Sequence, residues 1–376
     1  MIPQIEPWID DEELRQVERV VRSTYITEHS VTKEFECRLE NLTGAKHVIA
    51  MANGTVALYA VLNVLGVGRG DEVIVPDMTF VATANSVILA GATPVFCDIR
   101  PDTLCIDVRK AEALITEKTK AIMPVHLYGL SADLDELRIL CERHELFLVE
   151  DAAQGVGVKY RNRHVGTFGN AGVLSFYGNK TITTGEGGAV LTNDDGIAEE
   201  CYKLKNHGRR TKGIFVHETV GYNFSFTDLQ AAIGVAQLNK LERIIERKNE
   251  IRDYYIHSLE GCDAIDFQQV PEHTTPVFWF TNIRLDDAAA LENYLKQEGI
   301  GSRRLFYPLH QQLCYKHLEK CDCPESTHAY EQWLSLPSGV PLAQEQLQRI
   351  TAALEKFFKN RAGQRQDLQQ SLYSQL

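Results

Sequence analysis

Between Asp71 and Leu191 short apolar runs alternate with segments of helical period, and this alternation constrains the fold more than any other feature. Glu72 to Pro76, Pro94 to Cys97, Ala121 to Val125, Phe147 to Val149, Val173 to Phe176 and Ala189 to Leu191 read as strands. Val81 to Leu89, Val108 to Ile115 and Leu134 to His144 space their apolar residues as helices do. Strands joined through helices pair in parallel, and the helices cover both faces of the resulting sheet. The expected fold class is therefore α/β, with a mostly parallel central sheet and helices on both faces. Ligands of such sheets sit beyond the carboxyl ends of the strands, so the chemistry belongs in the turns that follow them.

Further along, Asp228 to Ser258 reads as one long helix or two in series. Phe278 to Leu285 alternates like a strand, and Asp287 to Gly299 and Glu345 to Phe358 read as helices. The expected organisation is a large domain over 12–240, a smaller C-terminal α+β domain over 241–362, and a Gln- and Ser-rich tail over 363–376 that frays.

Several function classes are disfavoured by composition. The formal net charge of −12 gives no electrostatic footprint for nucleic acid or an anionic membrane. No apolar run approaches the roughly 20 residues that span a bilayer. Nine scattered cysteines are not a disulfide framework, and Met1 to Asp11 lacks a basic and an apolar signal segment. A reduced, cytoplasmic protein is expected. Gly66-Val-Gly68-Arg-Gly70 follows a helix rather than a strand and lacks the third glycine of a dinucleotide fingerprint; it reads as a turn. There is no Walker A pattern. Cys321 and Cys323 form a single close pair with no second pair nearby in sequence, and His126 and His144 lie in separate elements, so no metal site is expected.

The sharpest segment is LSFYGNKTITTGEGGAV, Leu174 to Val190, where Lys180 follows an apolar strand and precedes a glycine-rich turn. Upstream, the strand Phe147 to Val149 runs into Glu150-Asp151-Ala152-Ala153-Gln154. An acid there either caps the next helix or meets a ligand. Pyridoxal phosphate (PLP) chemistry needs this pair: a lysine to form a Schiff base, and a carboxylate to keep the pyridine nitrogen protonated so that the ring accepts electrons. It also needs amides at a helix N-terminus for the phosphate. Asn53-Gly54-Thr55 fits that part, since it follows the apolar run His47 to Ala52 and opens a helical pattern through Leu58, Leu62 and Leu65.

Eight segments in order carry a resemblance: NGTVAL at Asn53, PDMTFVATAN at Pro76, GATPVFCD at Gly91, PVHLYG at Pro124, EDAAQ at Glu150, SFYGNKTITTGEGG at Ser175, GYNFSFTDLQAAIG at Gly221 and SRRLFYPLH at Ser302. From about Ile5 to Phe358 the chain resembles the fold-type I, aspartate aminotransferase-like, PLP-dependent sugar aminotransferases. Within them it is most similar to the branch that makes perosamine-type 4-amino sugars on GDP for surface polysaccharides. The resemblance implies that Lys180 forms the Schiff base, Asp151 pairs with the pyridine nitrogen, Gln154 contacts the 3-oxygen and Phe80 stacks on the ring. It implies that Gly54, Thr55 and Ser175 hold the phosphate, and that Asn223 reaches the phosphate of a neighbouring subunit, making a homodimer part of the site. Arg303 and His310 would face the substrate, a nucleotide-linked 4-keto-6-deoxyhexose, with L-glutamate as amino donor. Gln154, Phe224-Ser225 and the SRRLFYPLH segment depart from the perosamine-forming pattern, which leaves UDP- or dTDP-linked keto-sugars and keto-cyclitols as alternative substrates. Sugar 3-dehydratases of the family carry His at the Schiff-base position, and Lys180 argues against that chemistry, as it does against a mere binding protein.

Overall fold

The computed structural model describes the backbone of residues 1–211, 213–318 and 321–373, and side chains as far as Arg361. Two helices the sequence reading did not place come first, α1 (Asp11–Ser23) and α2 (Ser30–Thr43). Asp10 and Glu13 close a capping box on α1. The N-cap of α2, His29, makes no side-chain cap; Asp228 supplies it from far along the chain, accepting from the amides of His29 (2.8 Å), Val31 (3.0 Å) and Thr32 (2.9 Å).

The expected alternation follows: β1 (His47–Met51), α3 (Gly54–Val64), β2 (Glu72–Pro76), α4 (Ala82–Leu89), β3 (Thr93–Cys97), α5 (Val108–Ala113), β4 (Thr119–Ile122), α6 (Leu134–Arg143) and β5 (Phe147–Asp151). A short hairpin, β6 (Lys159–Tyr160) and β7 (Arg163–His164), leads to β8 (Ala171–Ser175), β9 (Gly188–Thr192) and α7 (Asp195–Lys205). The seven-stranded sheet has the order β1-β9-β8-β5-β4-β2-β3. Its strands pair in parallel except where β9 meets β1 and β8. Both β8 and β9 are buried at every position, as strands covered on two faces must be. Gly66 and Gly70, with φ of +72° and +98°, turn the chain from α3 into β2, so the glycine run is the turn its context suggests.

Asp228 to Ser258, expected as one long helix or two in series, is two, α8 (Asp228–Asn239) and α9 (Leu241–Ser258), joined at Lys240. Beyond them stand β10 (Asp266–Phe267), β11 (Thr274–Thr275), β12 (Thr281–Arg284), α10 (Ala288–Gln297), β13 (Arg303–Arg304), α11 (Pro324–Gln332), β14 (Trp333–Leu336) and α12 (Gln344–Tyr373). β10-β12-β14-β13 form an antiparallel sheet over a core that includes Ile251, Leu291, Leu334 and Leu347, while β11 joins the β6–β7 hairpin. The tail from Gly363 continues α12 as helical backbone to Tyr373; positions 374–376 of the expected frayed tail lie outside the described residues. Among the described residues no helix is long and apolar enough to cross a membrane.

Candidate active site

The carboxyl ends of β5 and β8, the start of α3 and the loop before α4 converge on a cavity of about 670 Å³, closed on the far side by Trp279, Arg303 and Phe306. Gly54, Thr55, Phe80, Asp151, Gln154, Ser175, Lys180 and Arg303 all line it. Of the residues singled out from sequence, Asn223 and His310 do not. Asn223 is exposed, in backbone pairing with Asn206, and His310 turns to Asp77, its Nδ1 2.7 Å from Oδ2.

Asp151 ends β5 and is buried. Thr83 donates its hydroxyl to Oδ2 at 2.8 Å, and the Ala153 amide donates to Oδ1 at 3.1 Å. Burial holds this carboxyl above its usual range; Thr83, the Ala153 amide and the Lys180 amine oppose that without cancelling it. A carboxylate so placed lacks a close cation. Lys180 stands with Nζ 4.3 Å from the centre of the Trp279 ring. Burial pushes its amine down to about 8, Asp151 working against that shift and Arg303 with it. The side chain keeps its partial exposure through the cavity it lines. The Gln154 carbonyl oxygen accepts from the Tyr128 amide at 2.6 Å, which leaves the NH2 end of that side chain for a ligand. Tyr128 itself holds φ of +56°, strained for a bulky residue; that hydrogen bond and the stacking of its ring on Trp279 and Phe306 keep it there.

At the other end of the cavity Asn53 caps α3, accepting from the Val56 amide at 3.0 Å, so the first amides of the helix remain without intrahelical partners. Two glycines shape this cradle. A Cβ at Gly54 would stand 3.2 Å from the Ser175 Cβ, and one at Gly188 would lie 2.5 Å from the Asn53 carbonyl carbon. Opposite, a guanidinium nitrogen of Arg303 and Oδ1 of Asn179 are buried without protein partners. A buried acid short of a cation, a helix N-terminus with a backbone cradle, and a half-desolvated amine between them fit PLP: ring nitrogen, phosphate and carbonyl carbon respectively.

Trp279, Thr83 and Asn179 were not singled out from sequence. Thr83 lies in the PDMTFVATAN segment and so was within reach. Trp279 comes from a distant strand approach, where its indole donates to the Asn179 carbonyl at 2.6 Å, and no local pattern marks it.

Residues 7–355 match the model of the DegT/DnrJ/EryC1/StrS aminotransferase family. The chain belongs to that family. It is a PLP-dependent aminotransferase, and its cofactor is pyridoxal 5′-phosphate. GDP-perosamine synthase of Vibrio cholerae is 38% identical over 365 residues, 95% of this chain and 99% of that protein. A UDP-N-acetyl-3-dehydro-α-D-glucosamine 3-aminotransferase of Acidithiobacillus ferrooxidans is 36% identical, with 86% and 88% covered. Among solved structures, Spr1654 of Streptococcus pneumoniae in its PLP form superposes with a TM-score of 0.90 at 29% identity, covering 96% of this chain and 99% of that one.

Proposed function

We propose that this aminotransferase moves an amino group from L-glutamate to C4 of a nucleotide-linked 4-keto-6-deoxyhexose, giving a perosamine-type sugar nucleotide for surface polysaccharide. The observation that carries the reading is the cavity in which Lys180, Asp151 and Gln154 face one another, in a chain 38% identical to a GDP-perosamine synthase over almost its full length.

Bound PLP supplies an electron sink for the carbon that loses its proton. The protein's own groups do the rest. Lys180 would hold the cofactor, and its amine would move the proton; pushed down to about 8, it is far closer to neutral pH than an ordinary lysine, so a small unprotonated fraction can accept a proton and the protonated form can return it. Asp151 holds the proton on the ring nitrogen. The Gly54 and Thr55 amides and the Ser175 hydroxyl take the phosphate, Gln154 presents its NH2 to the ring oxygen, and Phe80 flanks the ring. Arg303, with its unpartnered nitrogen, binds the donor carboxylate or the sugar's phosphates.

Asn223 acts in a neighbouring subunit, which makes the enzyme a homodimer. What supports this is the apolar surface beside it: Phe215 and Val220 are 80% and 82% exposed in the single chain. Nine cysteines without a disulfide among them support a reducing, cytoplasmic location.

The test loads the enzyme with the amino form of the cofactor and mixes it with a panel of keto-sugar nucleotides. Fastest return of the yellow absorbance with GDP-4-keto-6-deoxymannose is the expected outcome. A faster UDP- or dTDP-linked sugar, or a keto-cyclitol, would replace the substrate and leave the aminotransferase intact.

A further inference from the structure

Outside the cavity, four groups able to bind a metal converge at the junction of the two sheets. Asp77 follows β2, His310 lies in the 3-10 turn Leu309–Gln311, and Cys321 and Cys323 precede α11. One carboxylate oxygen, one imidazole nitrogen and the two Sγ atoms all lie within 4.8 Å of one another. We propose that Asp77, His310, Cys321 and Cys323 form a structural zinc site that ties the loop after β2 to the segment leading into α11.

The donor set decides the metal. Two thiolates and an imidazole favour zinc over magnesium or calcium, which take oxygen. Four protein groups with no vacant position make a closed, structural site rather than a catalytic one. Metal–sulfur bonds of about 2.3 Å and metal–nitrogen bonds of about 2.0 Å give a tetrahedron with edges of roughly 3.3 to 3.8 Å. The observed span encloses such a tetrahedron. The two Sγ atoms stand at 2.8 Å and must part by roughly 1 Å as the ion enters. Cys321 is half-buried in a loop and can turn; Cys323 is buried.

The surroundings are prepared for a fixed geometry. Asp77 is fully buried; its Oδ1 accepts the His310 backbone amide at 2.7 Å, and its Oδ2 lies 2.7 Å from the ring Nδ1, a contact that, like the Sγ pair, opens by roughly half an ångström when both groups bind one ion. The Leu309 amide donates to the Asp77 carbonyl at 3.0 Å. Behind Cys323, Asp98 accepts from the Ser326 amide at 3.0 Å and fixes the start of α11; Lys110, 2.7 Å away, balances that second acid. Two thiolates added beside buried Asp77 require a compensating charge, which a dication supplies. Counted along the chain, Cys321 and Cys323 lacked companions. The fold brings Asp77 and His310 to them, and the loop they anchor carries Phe80 of the cavity.

The experiment uses the full-length holoenzyme without a histidine tag, dialysed against metal-free buffer and analysed for bound metal. About one zinc per chain is expected. Cobalt exchanged into the site should show d–d absorption at red wavelengths, clear of the cofactor's bands. Cys321→Ser with Cys323→Ser should abolish both signals. Should that pair fail to fold, Cys321→Ser alone, in a half-buried loop, should still lose the zinc. A chelator should lower the melting temperature of the parent, and added zinc should restore it. Metal-free protein with both thiols titratable would leave only an Asp77–His310 pair and overturn the site. A Cys321–Cys323 disulfide in freshly purified protein would overturn it too, as would serine variants that keep a full equivalent of zinc.

Discussion

Asp151 and Lys180 occupy one cavity yet need different partners. Burial raises the carboxyl, and the hydroxyl and amide that reach it cannot replace a cation. Asp151→Asn keeps the shape and the Thr83 contact but removes the charge that would hold a proton on the ring nitrogen. Turnover should fall by roughly 10²–10³ while the cofactor stays bound, though more loosely. Steady-state rates and a cofactor titration of that variant check this, and an unimpaired rate would mean the pyridine partner lies elsewhere. This acid was legible in the sequence because a core strand runs directly into it, and Lys180 because a strand and a glycine turn bracket it. Trp279, against which the lysine rests, was not: nothing near it in sequence refers to the cavity, and only packing of the second sheet brings it there.

Elements set the cavity through close backbone approaches that residue types only hint at. β9 crosses behind the Asn53–Gly54 turn, and Gly188 lets it. A methyl there would meet the Gly54 backbone N at 2.6 Å, and because the atom it meets is backbone, the start of α3 must move. Gly188→Ala should therefore weaken PLP binding about ten-fold or more, the equivalent of losing one hydrogen bond to the phosphate, with Lys180 and Asp151 untouched. A cofactor titration followed by absorbance measures it, and unchanged affinity would place the phosphate away from this turn. On α9, Lys248 is buried with Nζ donating to the Trp279 carbonyl at 3.1 Å, and burial pushes it down to about 8. The unfolded chain binds that proton up to its ordinary pKa near 10.5. The charged amine therefore destabilises the fold at neutral pH, and stability recovers as pH rises above 8. Compared with Lys248→Met, the parent should gain about 1 kcal/mol between pH 7.5 and 9. Cysteines and tyrosines titrate alike in both proteins, so the difference isolates Lys248; a difference flat with pH would mean its proton is held as tightly as in water.

At the scale of the whole molecule, the parallel sheet was readable because the interiors of its strands are largely runs of buried apolar residues, with buried polar groups such as Thr119, Asp151 and Ser175 at strand ends. The N-terminal helices were not, because their burial depends on α8 and on Asp228, which caps α2 across the fold. Asn223 poses the same problem between chains. A single chain leaves it exposed, beside a loop whose large apolar residues face outward. If it completes the phosphate site of a second copy, two inactive proteins should repair each other. Lys180→Ala removes the amine, and Asn223→Ala damages only the neighbour's site. In a mixed dimer one site has both residues intact and the other has neither. Random pairing makes about half the dimers mixed, so co-expression of the two variants should recover roughly a quarter of the parent's activity per chain. Activity no greater than the average of the separate variants would place Asn223 outside the shared site, and the outward apolar loop would then need another partner.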